Sequence, residues 1–192
     1  MSISVTIKDW FSRSLSNEQL MMRYAKLRQR QILAQLYENC GTDLYHFLLT
    51  LSDATTAEDI AQQVWIKVIE KRHLYATTGQ FKSWLFTIGR RLLIDELRKQ
   101  QRYSNESYDE TQHTFPQNSH EKEQGDLALF NQALSELPFE QREALCLQQE
   151  GFSIAEISDI THAQHETIKS RLRYAKQKLH QVLTHTENRG EN

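Results

Sequence analysis

Residues 151–183 read GFSIAEISDITHAQHETIKSRLRYAKQKLHQVL. Ser153 with Glu156 three positions on forms a capping-box pattern, and Phe152 and Ile157 stand at the staple positions around it, so a helix opens here. Thr161, His162 and Ala163 interrupt that helix before Ile168, Leu172, Ala175, Leu179 and Val182 begin a long apolar stripe. A short helix, a tight turn and a longer helix make a helix-turn-helix. The polar side of the longer helix carries Lys169, Arg173 and Lys176 at i, i+4 and i+7, with Arg171 and Lys178 beside them and Glu166 at its start. Such a face can sit in the DNA major groove, where Arg and Lys reach phosphates and guanine edges and Thr or Ser reach either. An ordinary solvated helix face is the plain alternative.

Upstream, Leu127, Phe130, Leu134 and Leu137 trace a short amphipathic helix stopped by Pro138, and Phe139 to Glu150 a second one ended by Gly151. Before these lies a different composition. From Tyr103 to Gly125, Glu106, Asp109, Glu110, Glu121 and Glu123 face only Lys122, a local charge of −4 within a net charge of −2, with almost no apolar periodicity. Such a segment cannot repay its ordering entropy by burial. We read residues 103–125 as an acidic flexible linker, the alternative being a long surface loop within one domain.

Ahead of the linker, Leu20, Tyr24 and Leu27, then Leu33, Leu36, Tyr37 and Cys40, trace one or two helices, and Leu44, Phe47, Leu48 and Leu51 another, with Gly41 as the expected break. Ala57, Ile60, Ala61, Val64, Trp65, Val68 and Ile69 repeat at helical spacing behind a Thr55/Glu58 capping-box pattern. A loop over His73 to Gln80 and a helix from Phe81 to Arg102 complete this half. On that helix Arg91, Asp95, Arg98 and Arg102 share a stripe, and Phe81, Trp84 and Phe86 crowd its start. Aromatic rings beside cations suit single-stranded nucleic acid, though the same rings make a normal core face.

Six glycines and two prolines in 192 residues leave little from which to build hairpins. The expected fold class is all-α, two small helical domains joined by the linker. Cys40 and Cys146, both among apolar helical positions, read as core thiols. His162 with His165, or His180 with His185, lack partners at metal-site spacing, so neither metal nor cofactor is expected. Glu58 and Asp59 are adjacent and point apart on a helix, so they cannot work as an acid/base pair, and no enzyme activity is expected. No apolar run approaches the 18 or so residues a membrane span needs, and a cytoplasmic protein without membrane insertion is expected.

Four stretches together resemble the sigma-70 family of RNA polymerase sigma factors, extracytoplasmic-function (ECF, group 4) type. TAEDIAQQVWIKV (Thr56–Val68) and FKSWLFTIGRRLLIDELRK (Phe81–Lys99) are similar to its region 2. LSELPFEQREALCLQQEGFSIAEIS (Leu134–Ser158) and ETIKSRLRYAKQKL (Glu166–Leu179) are similar to its region 4. The resemblance implies an alternative sigma factor with region 2 over 18–102, the linker over 103–125, region 4 over 126–185, a disordered tail over 186–192 and an unassigned extension over 1–17. Its implied partners are core RNA polymerase (β′ clamp helices, β flap), promoter DNA and an anti-sigma factor.

By the same resemblance, Asp59, Gln62 and Trp65 match the helix that docks on polymerase. The His73–Gln80 loop and the face around Trp84, Arg90, Arg91 and Arg98 match the parts that hold the melted minus-10 element. Thr167, Lys169, Ser170, Arg171 and Arg173, with Lys176 on the same basic stripe, match the helix that reads the minus-35 duplex. Departures are Arg91 where the family usually has Asn, His162 at the usual Gly of the turn, Glu166 at a usually small residue, and Thr87 with Ile88 in place of the tryptophan pair of primary sigma factors. Promoter elements roughly 17 base pairs apart imply a separation of about 58 Å, whereas a relaxed coil of linker length spans about 26 Å. Free protein is therefore expected to be compact, with region 4 near region 2. A freestanding helix-turn-helix regulator is the runner-up reading, but it leaves the Thr56–Val68 helix without work.

Overall fold

The computed structural model describes residues 15–75, 80–106 and 126–187, with the side chains of 104–106, 126–128 and 183–187 excepted. Most of the N-terminal extension, the centre of the His73–Gln80 loop, linker positions 107–125 and tail positions 188–192 lie outside the described residues. The described chain forms eight α-helices and one 3-10 turn, with no strand among them.

Helix α1 (Asn17–Leu27) opens on a capping box in which Gln19 N–H donates to Ser16 Oγ and Ser16 N–H to Gln19 Oε1. It closes at Arg28, whose backbone is left-handed and donates to Tyr24 O. Helix α2 (Arg30–Leu51) then runs straight through Gly41, so the expected break is absent. Gly41 lies under the Tyr37 ring, 3.4 Å from where a Cβ would stand. A helical glycine costs up to about 1 kcal/mol against alanine, and buried packing on both sides of it outweighs that. The break falls instead at Arg28 and Gln29.

Helix α3 (Ala54–Lys71) is capped two residues earlier than the Thr55/Glu58 pattern suggests. Asp53 accepts from Thr56 N–H at 2.9 Å and Thr56 Oγ1–H at 2.7 Å, which places Thr55 inside the first turn. Helix α4 (Phe81–Glu106) follows the 3-10 turn Arg72–Leu74 and continues four residues past Arg102, into the stretch expected as linker. Its N-terminal amide, Phe81 N–H, donates to Glu18 of α1 at 3.1 Å. Leu36, Leu44, Phe47, Leu48, Val64, Val68, Leu85, Phe86 and Leu93 fill the core among α2, α3 and α4.

The C-terminal unit comprises α5 (Asp126–Ser135), α6 (Phe139–Gln149), α7 (Ile154–Thr161) and α8 (His165–Glu187). Pro138 stands at the N-cap of α6 and Gly151 turns the chain with φ +87°. The Ser153/Glu156 capping box is present, and His162 takes the left-handed position at the turn with φ 55°. Leu147, Ile157, Ile160, Ile168, Leu172 and Ala175 form the core of this unit. The two units touch: α4 packs on α7 and α2 on α6.

Candidate nucleic-acid interface and docking surface

Helix α3 buries Ala57, Ile60, Val64 and Val68 and turns Asp59, Gln62, Gln63, Ile66 and Ile69 outward. Of the residues expected to dock, Asp59 and Gln62 are on that exposed stripe. Trp65 is not: it is 8% exposed and its ring lies 5.1 Å from that of Tyr37, on the flank of α3 that meets α2. Ile69, expected in the core, is exposed, as is Ile66. Both could have been found by drawing the helix, since Ile66 lies opposite the stripe set by Ala57, Ile60, Val64 and Val68.

On α4 the aromatic group divides. Phe81 and Phe86 are fully buried, so neither presents a face for a base. Trp84 is half-buried in an edge-on contact with Tyr75 at 5.4 Å and near Phe81 at 6.1 Å. Arg91 and Arg98 are exposed, and no ion pair joins Arg91 to the equally exposed Asp95. Arg90 departs from the other cations. Its Nε donates to Glu143 Oε1 at 2.7 Å and its Nη2 to Oε2 at 3.3 Å, and the Glu143 side chain is 0% exposed. Burial pushes the Glu143 carboxyl above its usual range, opposed by Arg90 and by Arg171.

A second cation sits on the same side of α4, about two helical turns away. Lys82 Nζ donates to Asp43 Oδ2 at 2.8 Å, to Glu150 Oε2 at 2.9 Å and to Glu150 O at 3.0 Å. Burial opposes its charge, but the two carboxylates outweigh that and raise its pKa above the usual lysine value. Lys82 also lies 5.5 Å from the Phe86 ring centre and 5.6 Å from that of Phe152, and those two rings meet edge-on at 5.0 Å. Lys82, Glu143 and Glu150 escaped the sequence reading because each looks like an ordinary helix charge until the two units are brought together.

Helix α8 exposes Thr167, Lys169, Arg173 and Lys176, with Ser170 and Arg171 half-buried. Glu166 is paired: its carboxylate accepts from Lys169 Nζ at 2.6 Å, which holds its pKa below the usual range. Ser170 Oγ is turned back to Glu166 O. Arg173 lies 4.9 Å from the Tyr174 ring centre and donates to its hydroxyl at 3.2 Å, so the exposed Tyr174 adds an aromatic surface the sequence reading left out. Cys40 and Cys146 are free thiols that burial pushes up to about 11 and about 12. Among the described residues no group of three or more His, Cys, Asp or Glu could hold a metal ion, and no helix is long and apolar enough to cross a membrane.

Comparison with known proteins gives two family matches, sigma-70 region 2 over residues 36–103 and sigma-70 region 4 over 127–179. The chain is 30% identical to the ECF RNA polymerase sigma factor RpoE of Cereibacter sphaeroides, over 86% of this chain and 93% of that protein. It is 29% identical to the ECF RNA polymerase sigma factor SigL of Mycobacterium tuberculosis, over 83% and 93%. Among solved structures, the sigma factor RpoE in complex with the anti-sigma factor NepR from Bartonella quintana superposes with a TM-score of 0.65 at 28% identity, covering 79% of this chain and 96% of that one.

Proposed function

The chain belongs to the extracytoplasmic-function family of RNA polymerase sigma factors, as an alternative sigma factor that directs promoter recognition, and on that premise we propose how its surfaces divide the work. The exposed α3 stripe of Asp59, Gln62, Ile66 and Ile69 docks on the β′ clamp helices of core polymerase, with Trp65 fixing the helix from behind. Trp84, Arg90, Arg91 and Arg98 hold the melted minus-10 strand. Thr167, Lys169, Ser170, Arg171, Arg173 and Lys176 face the minus-35 duplex, where Arg171 or Lys169 reaches a base edge and Arg173 or Lys176 a phosphate. The functional units are 18–102 and 126–185. Residues 103–125 tether them, the first four as an extension of α4.

Catalysis in this reading belongs to the polymerase, and the chain works beside it in the cytoplasm. An anti-sigma factor is a further partner, supported by the solved relative that carries one. The observation that carries the reading is the separation of three exposed patches. A helix-turn-helix regulator needs the α8 cations alone, whereas here an acid, amide and isoleucine stripe on α3 and arginines on α4 are also left open to a partner. Gel filtration of the chain with purified core polymerase tests it: co-elution is expected for wild type and is weakened by Asp59→Ala. A chain that binds DNA but never co-elutes would support the freestanding regulator.

A further inference from the structure

Helix α4 opens without an anion of its own. Its first turn holds no acid and carries Lys82, the reverse of what the positive end of a helix dipole favours. The anion comes from α1, where Glu18 Oε1 accepts Phe81 N–H at 3.1 Å from a position 63 residues earlier in the chain. Burial would raise the Glu18 pKa, but hydrogen bonds from the Ser16 hydroxyl, its own amide and the Phe81 amide outweigh that, so the group is a carboxylate at neutral pH. Glu18 also acts on Tyr75, which ends the 3-10 turn: burial, and then the Glu18 charge, push the Tyr75 hydroxyl up to about 12. Tyr75 meets Trp84 edge-on at 5.4 Å and Phe81 edge-on at 6.1 Å, and Phe81 lies 6.1 Å from Trp84. One carboxylate therefore reaches Trp84 by two routes, through the Phe81 amide three residues before it and through the Tyr75 ring against it. Glu18 lies ahead of the stretch matched to sigma-70 region 2, residues 36–103.

Resting on the sigma-factor reading, in which Trp84 holds the melted minus-10 strand, we propose that Glu18 is a positioning residue for promoter opening. It fixes the start of α4 and the Tyr75 ring, so that the Trp84 indole is set before the strand arrives. A base stacks on a ring only within a narrow range of positions, and a ring ordered in advance loses no binding free energy to being ordered. Glu18 itself makes no contact with DNA and acts through Trp84. Helix α1 does not need this carboxylate to stay in place: Leu20, Met21 and Tyr24 are buried in the core, and the Ser16/Gln19 capping box holds its start. Glu18 is thus free to serve the entry to α4 without being required for the fold.

The test uses the full chain with core polymerase on a promoter taken from the starts that the wild-type chain produces, with 2-aminopurine in the minus-10 segment of the non-template strand to report unstacking. Glu18→Ala should leave affinity for core polymerase and for the closed promoter unchanged and slow opening about tenfold, the size of one charge-assisted hydrogen bond. Glu18→Gln keeps an acceptor for the Phe81 amide without the charge, and should slow opening only about threefold. Gln19→Ala removes the neighbouring capping-box bond at an exposed position and leaves Phe81 capped, so it should open promoters at the wild-type rate. In a Trp84→Ala chain, adding Glu18→Ala should slow opening less than about twofold, because the ring it sets is gone. The proposal is overturned if Glu18→Ala opens promoters at the wild-type rate, if Gln19→Ala is equally slow, or if Glu18→Ala costs as much without Trp84 as with it. Should Glu18→Ala lose helicity, Glu18→Gln carries the same comparison, about threefold slower with Trp84 present and unchanged without it. A wild-type chain that produces no starts strikes the sigma-factor reading and this role with it, whereas wild-type starts with an unaffected Glu18→Ala strike the positioning role alone.

Discussion

Arg90 and Glu143, fifty-three residues apart in sequence, are joined by two hydrogen bonds of 2.7 and 3.3 Å, and the carboxylate they hold has no solvent exposure. Removing one partner of a buried pair costs on the order of 3–5 kcal/mol because the other charge is left uncompensated. In this chain the stranded Glu143 has a way out, since parting the two units returns it to water. Arg90→Ala should therefore open the chain rather than unfold it: the radius of gyration rises while far-UV helicity stays. Pairing it with Glu143→Ala should give a clearly non-additive cycle, because the second change removes the charge that the first one stranded. Strict additivity would mean that the pair does not hold the junction.

Asp53 gives a stability prediction with a pH sign. Burial would raise its pKa, but hydrogen bonds from the Thr56 hydroxyl and the Thr56 and neighbouring amides outweigh that and hold it below the usual value. An acid whose pKa is lower folded than unfolded stabilises the fold above its unfolded pKa, and the contribution disappears as pH falls through the folded one. Asp53→Ala should cost about 1 kcal/mol at neutral pH. Urea titrations should show the gap to wild type narrowing below about pH 4. A gap that widens in acid would contradict the cap.

Much of this architecture is legible in the sequence, and the failures have physical causes. The apolar stripes of α3 and α8, the Ser153 capping box and the helix-turn-helix are local patterns and can be read locally. Gly41 is misread because its helix cost is local, whereas the burial of Gly41 and of its neighbours Cys40 and Leu44 depends on elements far away in sequence. Thr55 and Asp53 are both good caps two residues apart, and only the hydrogen bond to Thr56 chooses between them. Trp65 sits at the border of the α3 stripe, where periodicity cannot say whether a ring faces α2 or a partner. The junction is invisible for a stronger reason: Lys82, Arg90, Glu143 and Glu150 are charges on amphipathic helices, and nothing in either unit alone marks them as buried together.

Arg91 should contact promoter DNA near the minus-10 element, being exposed and without an ion pair to Asp95. Arg91→Ala should lower the yield of open complexes. It should also flatten the salt dependence by about 0.7 in log–log slope, the value for one phosphate on a single strand. An unchanged yield across salt concentrations would refute the contact.

On α8 the Glu166–Lys169 pair sets two opposing expectations. Glu166→Ala removes an exposed anion and releases Lys169, so holoenzyme binding to all minus-35 sequences should strengthen. Arg171→Ala should instead cost about 1–3 kcal/mol at one base position only. Competition binding with a panel of single-base promoter variants separates the two, and equal losses at every position would remove Arg171 from base readout.

The most direct measurement is mapping of transcript starts made in vitro by purified core polymerase on genomic DNA from the same organism, with and without the chain. Wild-type chain should produce a discrete set of new starts that share paired upstream elements. Asp59→Ala/Ile66→Asp should reduce all of them together while the melting temperature of the variant stays within a few degrees of wild type, as surface changes allow. Starts that are unchanged when the chain is added, with the chain bound to DNA but not to polymerase, would contradict the account.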